Sequence, residues 1–317
     1  MARAAGAVMK VVRQAAELQT NGRKVCLAIG VFDGVHLGHQ QVIRQAIADA
    51  RQHEAISVAL TFDRHPSSVV APERAPALIY SLPQKLRAIE SMSVDATLLI
   101  EFTEVFSRKT GEAFVRELVQ GFGGVHSVCV GAAFTFGHKR SGNVELLRRL
   151  GAEFKFQVHG LAALALDAET VSSTRIRQCI RGGDLDAASQ MLGRSYAIAG
   201  KIVEGDRVGR TLNAPTANVE VAGLVLPPNG VYAVHAEVKE RCYRGVANLG
   251  VRPTLGNPQP RQRFEVHLLD FAGDVYGQEM EVTFAEKLRD EKKFESMEEL
   301  KAEIGKDIEA ARAIFGN

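Results

Sequence analysis

A ten-residue segment, GVFDGVHLGH at positions 30–39, stands where an apolar run gives way to a helical pattern. The residues before it, 25–29, are continuously apolar and predict a buried strand. The residues after it repeat apolar side chains at helical spacing, at Val42, Ile43, Ala46, Ile47 and Ala50. A strand that turns directly into a helix is the building unit of α/β folds. Ligands of such folds bind at the carboxyl ends of the strands.

The residue types in this turn predict an anion site. Glycines let the backbone approach a phosphate closely, and the free N–H groups and positive dipole end of a helix favour anions. His36 and His39 are three residues apart, so both are expected to face one ligand. A His-x-x-His metal site is an alternative, but no third ligand follows at a familiar spacing. Two ordinary helix-start histidines are the other alternative.

The rest of the chain predicts two domains. Apolar strand-like runs alternate with helical patterns through the first half, which favours a parallel, doubly wound sheet. After residues 182–184 the pattern changes to short alternating segments separated by glycine and proline, which predict an antiparallel barrel or sandwich. The chain closes with a helix that begins at a capping box, Ser296 to Glu299. We place the two domains at residues 1–190 and 191–317.

Composition restricts the class of protein. The 317 residues are 46% hydrophobic, which is enough for a core in each half. A net charge of +2 gives no reason to expect a nucleic-acid or membrane partner. The four cysteines are scattered without a Cys-x-x-Cys pair, which suits the cytoplasm and argues against a disulfide framework. None of these quantities predicts the oligomeric state.

Two further motifs lie in the first half. Residues 171–177, VSSTRIR, place hydroxyls and guanidiniums at a helix start, where serine and threonine also serve as simple caps. Residues 130–137, VGAAFTFG, form a glycine- and phenylalanine-rich loop after a predicted strand.

The second half lacks a Walker motif but carries glycines beside basic residues, which suit phosphate binding: Gly200, Lys201, Gly205, Gly209 and Arg210. Thr216 and Asn218, in the segment PTAN at 215–218, are two residues apart. On an extended segment their oxygens face one side, as Mg²⁺ requires. An ordinary turn is the alternative for this segment. Glu265 lies on an alternating strand with Phe264 and Val266 on the opposite face, and a carboxylate placed there suits a general base.

Together these motifs resemble those of the bacterial bifunctional riboflavin kinase/FAD synthetase family over nearly the whole chain, from Met9 to Arg312. The resemblance implies a Rossmann-like nucleotidyltransferase domain followed by an antiparallel β-barrel riboflavin kinase domain with a C-terminal helix. It implies phosphorylation of riboflavin to FMN with Mg²⁺ and ATP, then adenylylation of FMN to FAD with release of pyrophosphate.

The resemblance also implies roles for individual residues. His36 and His39 would bind ATP phosphates and stabilise charge as pyrophosphate leaves, with Arg175 as the cation on the triphosphate. Glu265 would be the base that takes the proton of the ribityl hydroxyl, and Thr216 and Asn218 would hold Mg²⁺. The remaining expected ATP-binding residues of the first half are Gly30, Phe32, Asp33, Gly34, Gly38, Ser172, Ser173 and Thr174, and the expected flavin and nucleotide loop contains Phe134, Phe136 and Gly137.

The sequence departs from the family pattern at three places. Ala133 stands where the family has Asp or Asn, Arg64 where it usually has Pro, and Asn213-Ala214 where it has Gly-Phe. The first two departures motivate an alternative, a riboflavin kinase whose nucleotidyltransferase module is impaired or non-catalytic. A non-catalytic flavin-binding protein is a third hypothesis, in which the histidines and Glu265 would have no task.

Overall fold

The computed structural model describes residues 9–204, 215–252 and 261–316. The chain divides into two compact units. The first comprises the residues up to Leu78 together with Leu82–Ser173, and the second comprises Ile79–Ser81 together with the residues from Thr174 onward.

The first unit is built on a six-stranded parallel sheet in the order β1-β4-β3-β2-β5-β8. Two small antiparallel pairs, β6 with β7 and β9 with β10, lie outside this sheet. The strands of the unit are β1 (Lys10–Val12), β2 (Val25–Ile29), β3 (Ile56–Phe62), β4 (Ala96–Ile100), β5 (Val125–Gly131), β6 (Thr135–Phe136), β7 (Gly142–Asn143), β8 (Gln157–Leu161), β9 (Ala165–Leu166) and β10 (Glu169–Thr170).

Helices cover both faces of the sheet. They are α1 (Leu37–Gln52), α2 (Ser67–Val70), α3 (Leu82–Glu90), α4 (Glu104–Ser107), α5 (Gly111–Phe122) and α6 (Val144–Phe154), with short 3₁₀ turns at Ala15–Glu17, Pro72–Arg74 and His138–Arg140. Alternate residues of β2 separate the two cores. Leu27 packs with the apolar face of α5 and α6, whereas Ala28 packs with that of α1 and α3. The predicted doubly wound sheet is therefore confirmed.

Local sequence explains where several helices begin and end. Thr110 and Asn143 accept hydrogen bonds from the N–H groups of Ala113 and Leu146, at 3.2 and 2.9 Å, and so cap α5 and α6. Helix α5 ends at Gly123, whose φ of 71° is the left-handed conformation typical of a helix C-terminus.

The second unit is a closed antiparallel barrel in the order β11-β12-β15-β14-β13-β16, in which β16 also pairs with β11. Its elements are α7 (Ser173–Gly182), α8 (Leu185–Leu192), β11 (Ala197–Val203), β12 (Thr216–Val219), β13 (Gly230–Val238), β14 (Arg241–Arg252), β15 (Arg261–Leu268), β16 (Glu279–Arg289) and α9 (Met297–Phe315). Closure decides between the barrel and the sandwich that the strand pattern alone left open.

The predicted C-terminal helix is present as α9, and it packs on the barrel. The Ser296 hydroxyl accepts the N–H of Glu299 at 3.2 Å, and Arg289 of β16 donates two hydrogen bonds of 2.8 Å to Asp307 of the helix. No helix within the described ranges is long and apolar enough to cross a membrane.

Candidate active site

The loop between β2 and α1, residues 30–36, lies at the switch point of the parallel sheet. The chain continues from β2 to β3 on one side, and β5 lies on the other side of β2. Phe32, Gly34 and Val35 have φ angles of 52°, 80° and 41°. Left-handed backbone is unfavourable for a β-branched residue such as Val35 and costs on the order of 1–3 kcal/mol. Such strain persists only where the surroundings hold the loop firmly.

Hydrogen bonds from β3 and from α1 hold this loop. The N–H of Gly30 donates to Leu60 O at 3.1 Å, and the Thr61 hydroxyl donates to Val31 O at 2.8 Å. From the helix side, the buried Gln40 amide donates to Val35 O at 3.0 Å. A side chain at Gly30 would lie 2.5 Å from the ring of Phe32, so packing alone is a sufficient reason for glycine there.

The two predicted histidines lie together at the start of α1. His36 is the N-cap residue, and its Nδ1 accepts a long hydrogen bond of 3.4 Å from the N–H of His39. The two rings are stacked, with centroids 3.6 Å apart and planes at 21°. Phe32 contacts His39 edge-on, with centroids 5.3 Å apart. The structure thus aligns both imidazoles on one side of the first turn, where Gly38 also lies.

The serine motif reaches the same loop. Ser173, the first residue of α7, donates its hydroxyl to Asp33 O at 3.0 Å. Ser172 directly precedes it, while Thr174 and Arg175 follow along α7 in the second unit. The structure therefore brings Ser173 to the histidine loop, and the proposed contact of Arg175 with the triphosphate stays a prediction.

Arg64, one of the departures from the family pattern, forms a local ion pair. Its guanidinium donates two hydrogen bonds to Asp63 Oδ2, at 3.0 and 2.9 Å, and the N–H of Phe102 donates to Oδ1 at 2.9 Å. Burial raises the pKa of Asp63, but these hydrogen bonds outweigh it and hold the pKa below its ordinary value. Arg64 thus keeps Asp63 ionised after β3.

The predicted flavin and nucleotide loop follows β5. Phe134 and Phe136 stack with centroids 5.3 Å apart, and Phe136 contacts Phe114 of the core edge-on. Gly137 has a φ of 74°, and a side chain there would lie 2.3 Å from the N atom of Gly111. Ala133 is exposed at the turn between these elements.

A cavity of about 370 Å³ opens beside this loop. It lies where β5 and β8 end and α6 begins, and its lining includes Ala132, Asn143, Val144, Glu145, Arg148 and Gly160. The departure at Ala133 is thus one residue from the wall of this cavity.

The candidate kinase residues share one face of the barrel. In the pairing of β12 with β15, Thr216 lies opposite His267 and Asn218 lies opposite Glu265. Directly paired residues of antiparallel strands project to the same face of the sheet. Phe264 and Val266, on the opposite face, are buried in the barrel. Thr216 also lines a cavity of about 280 Å³ together with Pro215, Leu268 and Phe271 to Tyr276.

Two residues near Glu265 were not predicted from the sequence. Arg263 donates to Glu265 Oε1 at 2.5 Å, and Asn248 of β14 is paired with Glu265 on the side away from β12. The alternation along β15 puts Arg263 on the face of Glu265. Only the strand register reveals Asn248, which the sequence alone does not provide.

The glycine-rich segment of the second unit is described in part. Gly200 and the exposed Lys201 lie on β11, and a side chain at Gly200 would lie 2.1 Å from Glu220 O. Close approach of the backbone is therefore a sufficient reason for that glycine, and its phosphate contact stays a prediction. Gly205, Gly209, Arg210 and the departure at Asn213-Ala214 lie outside the described residues.

Comparison with known proteins matches both units. The FAD synthetase family pattern matches residues 18–175, and the riboflavin kinase pattern matches residues 192–315. A bifunctional riboflavin kinase/FMN adenylyltransferase of Haemophilus influenzae is 38% identical over 92% of this chain and 94% of its own length. The protein of that name from Escherichia coli is 37% identical over 97% of this chain and 98% of its own.

A solved structure from Streptococcus pneumoniae, described as a macrolide-efflux protein, has a related fold. It is 28% identical, has a TM-score of 0.80, and the match covers 96% of this chain and 99% of that one. Its description names a different activity from that of the two curated relatives. Since both family patterns and both full-length relatives agree, this chain belongs to the bifunctional riboflavin kinase/FMN adenylyltransferase family.

Proposed function

We propose that this chain phosphorylates riboflavin to FMN at the barrel and adenylylates FMN to FAD at the histidine loop. One observation supports each half. The stacked pair His36 and His39 lies on a strained loop at the sheet switch point, and Glu265 is paired in register with Asn218. Both activities agree with the names of the two curated relatives.

In adenylyl transfer, FMN phosphate attacks the α-phosphorus of ATP, and pyrophosphate leaves. The reaction needs donors and positive charge where negative charge develops on the leaving group. His36 and His39 supply ring N–H donors at the start of α1, where the positive end of the helix dipole also favours negative charge. The assignment of Thr174 and Arg175 to this step rests on their motif.

In phosphoryl transfer, the Glu265 carboxylate accepts the proton of the terminal ribityl hydroxyl as the oxygen attacks the γ-phosphorus of ATP. ADP is the leaving group. Arg263 orients that carboxylate through its hydrogen bond to Oε1. The protein forms no covalent bond to the phosphoryl group in this step, so catalysis depends mainly on positioning. The face that Thr216, Asn218 and Glu265 share would provide it.

The oxygen donors on this face fit a magnesium ion. Thr216 offers a hydroxyl and Asn218 an amide oxygen on the same face, and Mg²⁺ favours a few oxygen ligands with retained waters. When bound, the ion neutralises phosphate charge. Within the described ranges, no cluster of three or more His, Cys, Asp or Glu residues could hold a metal ion.

We further propose that the functional modules divide near residue 190 and that the enzyme works in the cytoplasm. The FAD synthetase pattern ends at residue 175 and the riboflavin kinase pattern begins at residue 192, although the structural division falls at Ser173. All four cysteines are free thiols, which favours a reducing compartment. A fragment of residues 194–317 that makes FMN would support the proposed division.

Product chromatography of the full chain tests the proposal. Riboflavin with ATP and Mg²⁺ is expected to give FMN and then FAD, and FMN with ATP and Mg²⁺ is expected to give FAD. Formation of FMN alone would establish the alternative of a kinase with an inactive nucleotidyltransferase module. Formation of neither product would overturn the proposal. Chelation of the metal is expected to stop the kinase step.

A further inference from the structure

We propose that Lys85, which belongs to none of the motifs above, is a positioning residue for adenylyl transfer. It ties the histidine loop, residues 30–36, to the carboxyl end of β3. The inference rests on the proposed FAD synthetase activity of this unit. Lys85 lies on the face of α3 that also carries the buried Ile89, and only 7% of it is exposed.

A chain of hydrogen bonds connects Lys85 to the loop. Its Nζ donates to Phe62 O at 2.6 Å and to the Thr61 hydroxyl at 3.4 Å. Thr61, which is fully buried, in turn donates to Val31 O at 2.8 Å. A hydroxyl can accept one hydrogen bond and donate another, so Thr61 connects the lysine to the loop backbone. The ammonium of α3 therefore contacts β3 directly and is connected to the loop through the Thr61 hydroxyl.

The charge of Lys85 also has partners. Asp33 of the loop, itself 4% exposed, and Asp63 after β3 are the acidic groups that face it. Burial lowers the pKa of Lys85 to about 8, and the two carboxylates oppose that shift. Asp63 is also paired with Arg64, whereas Asp33 belongs to the histidine loop itself, so the charge of Lys85 acts directly on that loop.

The hydrogen bonds of Lys85 to Phe62 O and Thr61 do not by themselves explain why a charged residue is buried at this position. An ammonium is among the groups least often fully buried, because its desolvation is unfavourable. The Lys85 ammonium compensates the negative charge of the buried Asp33. Asp33 lies in the loop that has left-handed backbone at Phe32, Gly34 and Val35. Loss of the ammonium is expected to let this loop relax and to displace His36 and His39 from the phosphates.

Deprotonation of Lys85 at high pH is expected to lower the rate of adenylylation, but it does not lower the stability of the folded protein. The unfolded chain keeps the lysine protonated up to its ordinary pKa of about 10.4, whereas the folded chain releases the proton near pH 8. The unfolded state thus binds more protons between these values, and this group makes the protein more stable as pH rises through that window. Replacing Lys85 by an apolar residue of similar length removes this desolvation penalty but also removes a charge partner of the buried Asp33. These two effects on stability oppose each other, so the net change is expected to be small.

The test uses the full chain and measures FMN adenylylation, riboflavin phosphorylation and Tm across pH 6.5 to 9.5. For wild type, kcat/KM for ATP in adenylylation is expected to fall above pH about 8. Lys85→Met is expected to lower this kcat/KM by up to about 100-fold at pH 7 and to abolish its fall at alkaline pH. The kinase rate and the Tm of this variant should stay at their wild-type values. Arg87→Met, an exposed cation on the same helix, is the matched control and should change neither activity.

Two further variants separate charge from packing. Lys85→Arg keeps a cation at every pH, so it should exceed Lys85→Met in adenylylation and lack the alkaline limb. Thr61→Val has nearly the same shape but lacks the bridge to Val31 O; it should be impaired in adenylylation yet keep the limb, because Lys85 remains. Wild-type adenylylation in Lys85→Met, or parallel loss of kinase activity and Tm, would overturn the proposal. Absence of FAD from wild type would instead refute the proposed function.

Discussion

The two candidate sites obtain their geometry in different ways. In the first unit, residues 30–36 form a loop with left-handed backbone at Phe32, Gly34 and Val35, held by hydrogen bonds from β3 and α1. In the second unit, Thr216, Asn218 and Glu265 lie on regular strands, and the ladder register alone puts them on one face. The first site depends on strain that its surroundings must maintain, whereas the second depends on strand pairing.

This difference predicts different responses to mutation. The loop site should be sensitive to changes of volume or hydrogen bonding in residues that never contact substrate, since these residues hold the strain. The barrel site should tolerate such changes and respond mainly to the identity of the side chains on its reactive face. The following substitutions test that contrast, with the largest expected effect first.

Glu265→Gln should reduce riboflavin phosphorylation by a factor of about 10² to 10⁴, the usual contribution of a general base. Glutamine is nearly isosteric but cannot accept the hydroxyl proton, so KM for riboflavin and ATP should change little. The measurement is the steady-state rate of FMN formation, with FAD formation from supplied FMN as an internal reference. Glu237→Gln, an exposed acid on β13, is the matched control. Near-normal turnover in Glu265→Gln would remove Glu265 from the mechanism.

His39→Ala should reduce FAD formation from FMN by a factor of about 10² to 10³, as expected for loss of one donor to a developing charge. FMN formation from riboflavin should stay almost intact. His53→Ala, just past the other end of α1, removes an imidazole from the same helix without touching the loop. Stoichiometric zinc in the purified protein, lost on His39→Ala, would instead favour the metal-site alternative.

The sequence predicted the central strands of the parallel sheet better than its edge strands. Strand β2 is a continuous apolar run, and its predicted bounds, residues 25–29, agree with the structure. Strands β3 and β4 are apolar except for Ser57, Thr61 and Thr97. The edge strands β1 and β8 went unpredicted, since β1 has three residues and β8 includes Gln157, His159 and Gly160. An edge strand is paired on one side only, so its sequence carries a weaker apolar signal.

Within the sites, residues in local motifs were predictable and residues joined by tertiary pairing were not. His36 and His39 are neighbours because of helical spacing, which the sequence contains. Asn248 and Lys85 reach their sites through strand register and helix packing, which no local pattern encodes. The sequence does contain one indication of Lys85: it lies four residues before Ile89 on α3, and a charged residue on the apolar face of a helix is unusual.

Gly30→Ala tests the strain of the loop directly. The added methyl would lie 2.5 Å from the buried Phe32 ring, and overpacking of this kind costs about 1–3 kcal/mol. The first unit should therefore unfold at a lower Tm in calorimetry, and adenylylation should fall because Phe32 packs against His39. Gly131→Ala, at the end of β5, meets no atom within 4 Å and is the control for stability. An unchanged Tm in Gly30→Ala would show that the loop accommodates volume and is not strained.

Ala133→Asp is expected to have the smallest effect, a gain. The family has Asp or Asn at this position, whereas here the exposed Ala133 leaves the loop after β5 without a polar side chain. Restoring a carboxylate adds one oriented group to a site that works by positioning, so FAD formation should rise by about tenfold at most. Phosphorylation at the barrel should not change, since its face is set by the pairing of β12 with β15. The measurement is kcat/KM for FMN in adenylylation, with Ala132→Asp as the control that puts the same charge one residue away. A gain in both variants would indicate a general charge effect, and a loss in Ala133→Asp would show that this loop binds its ligands differently from the rest of the family.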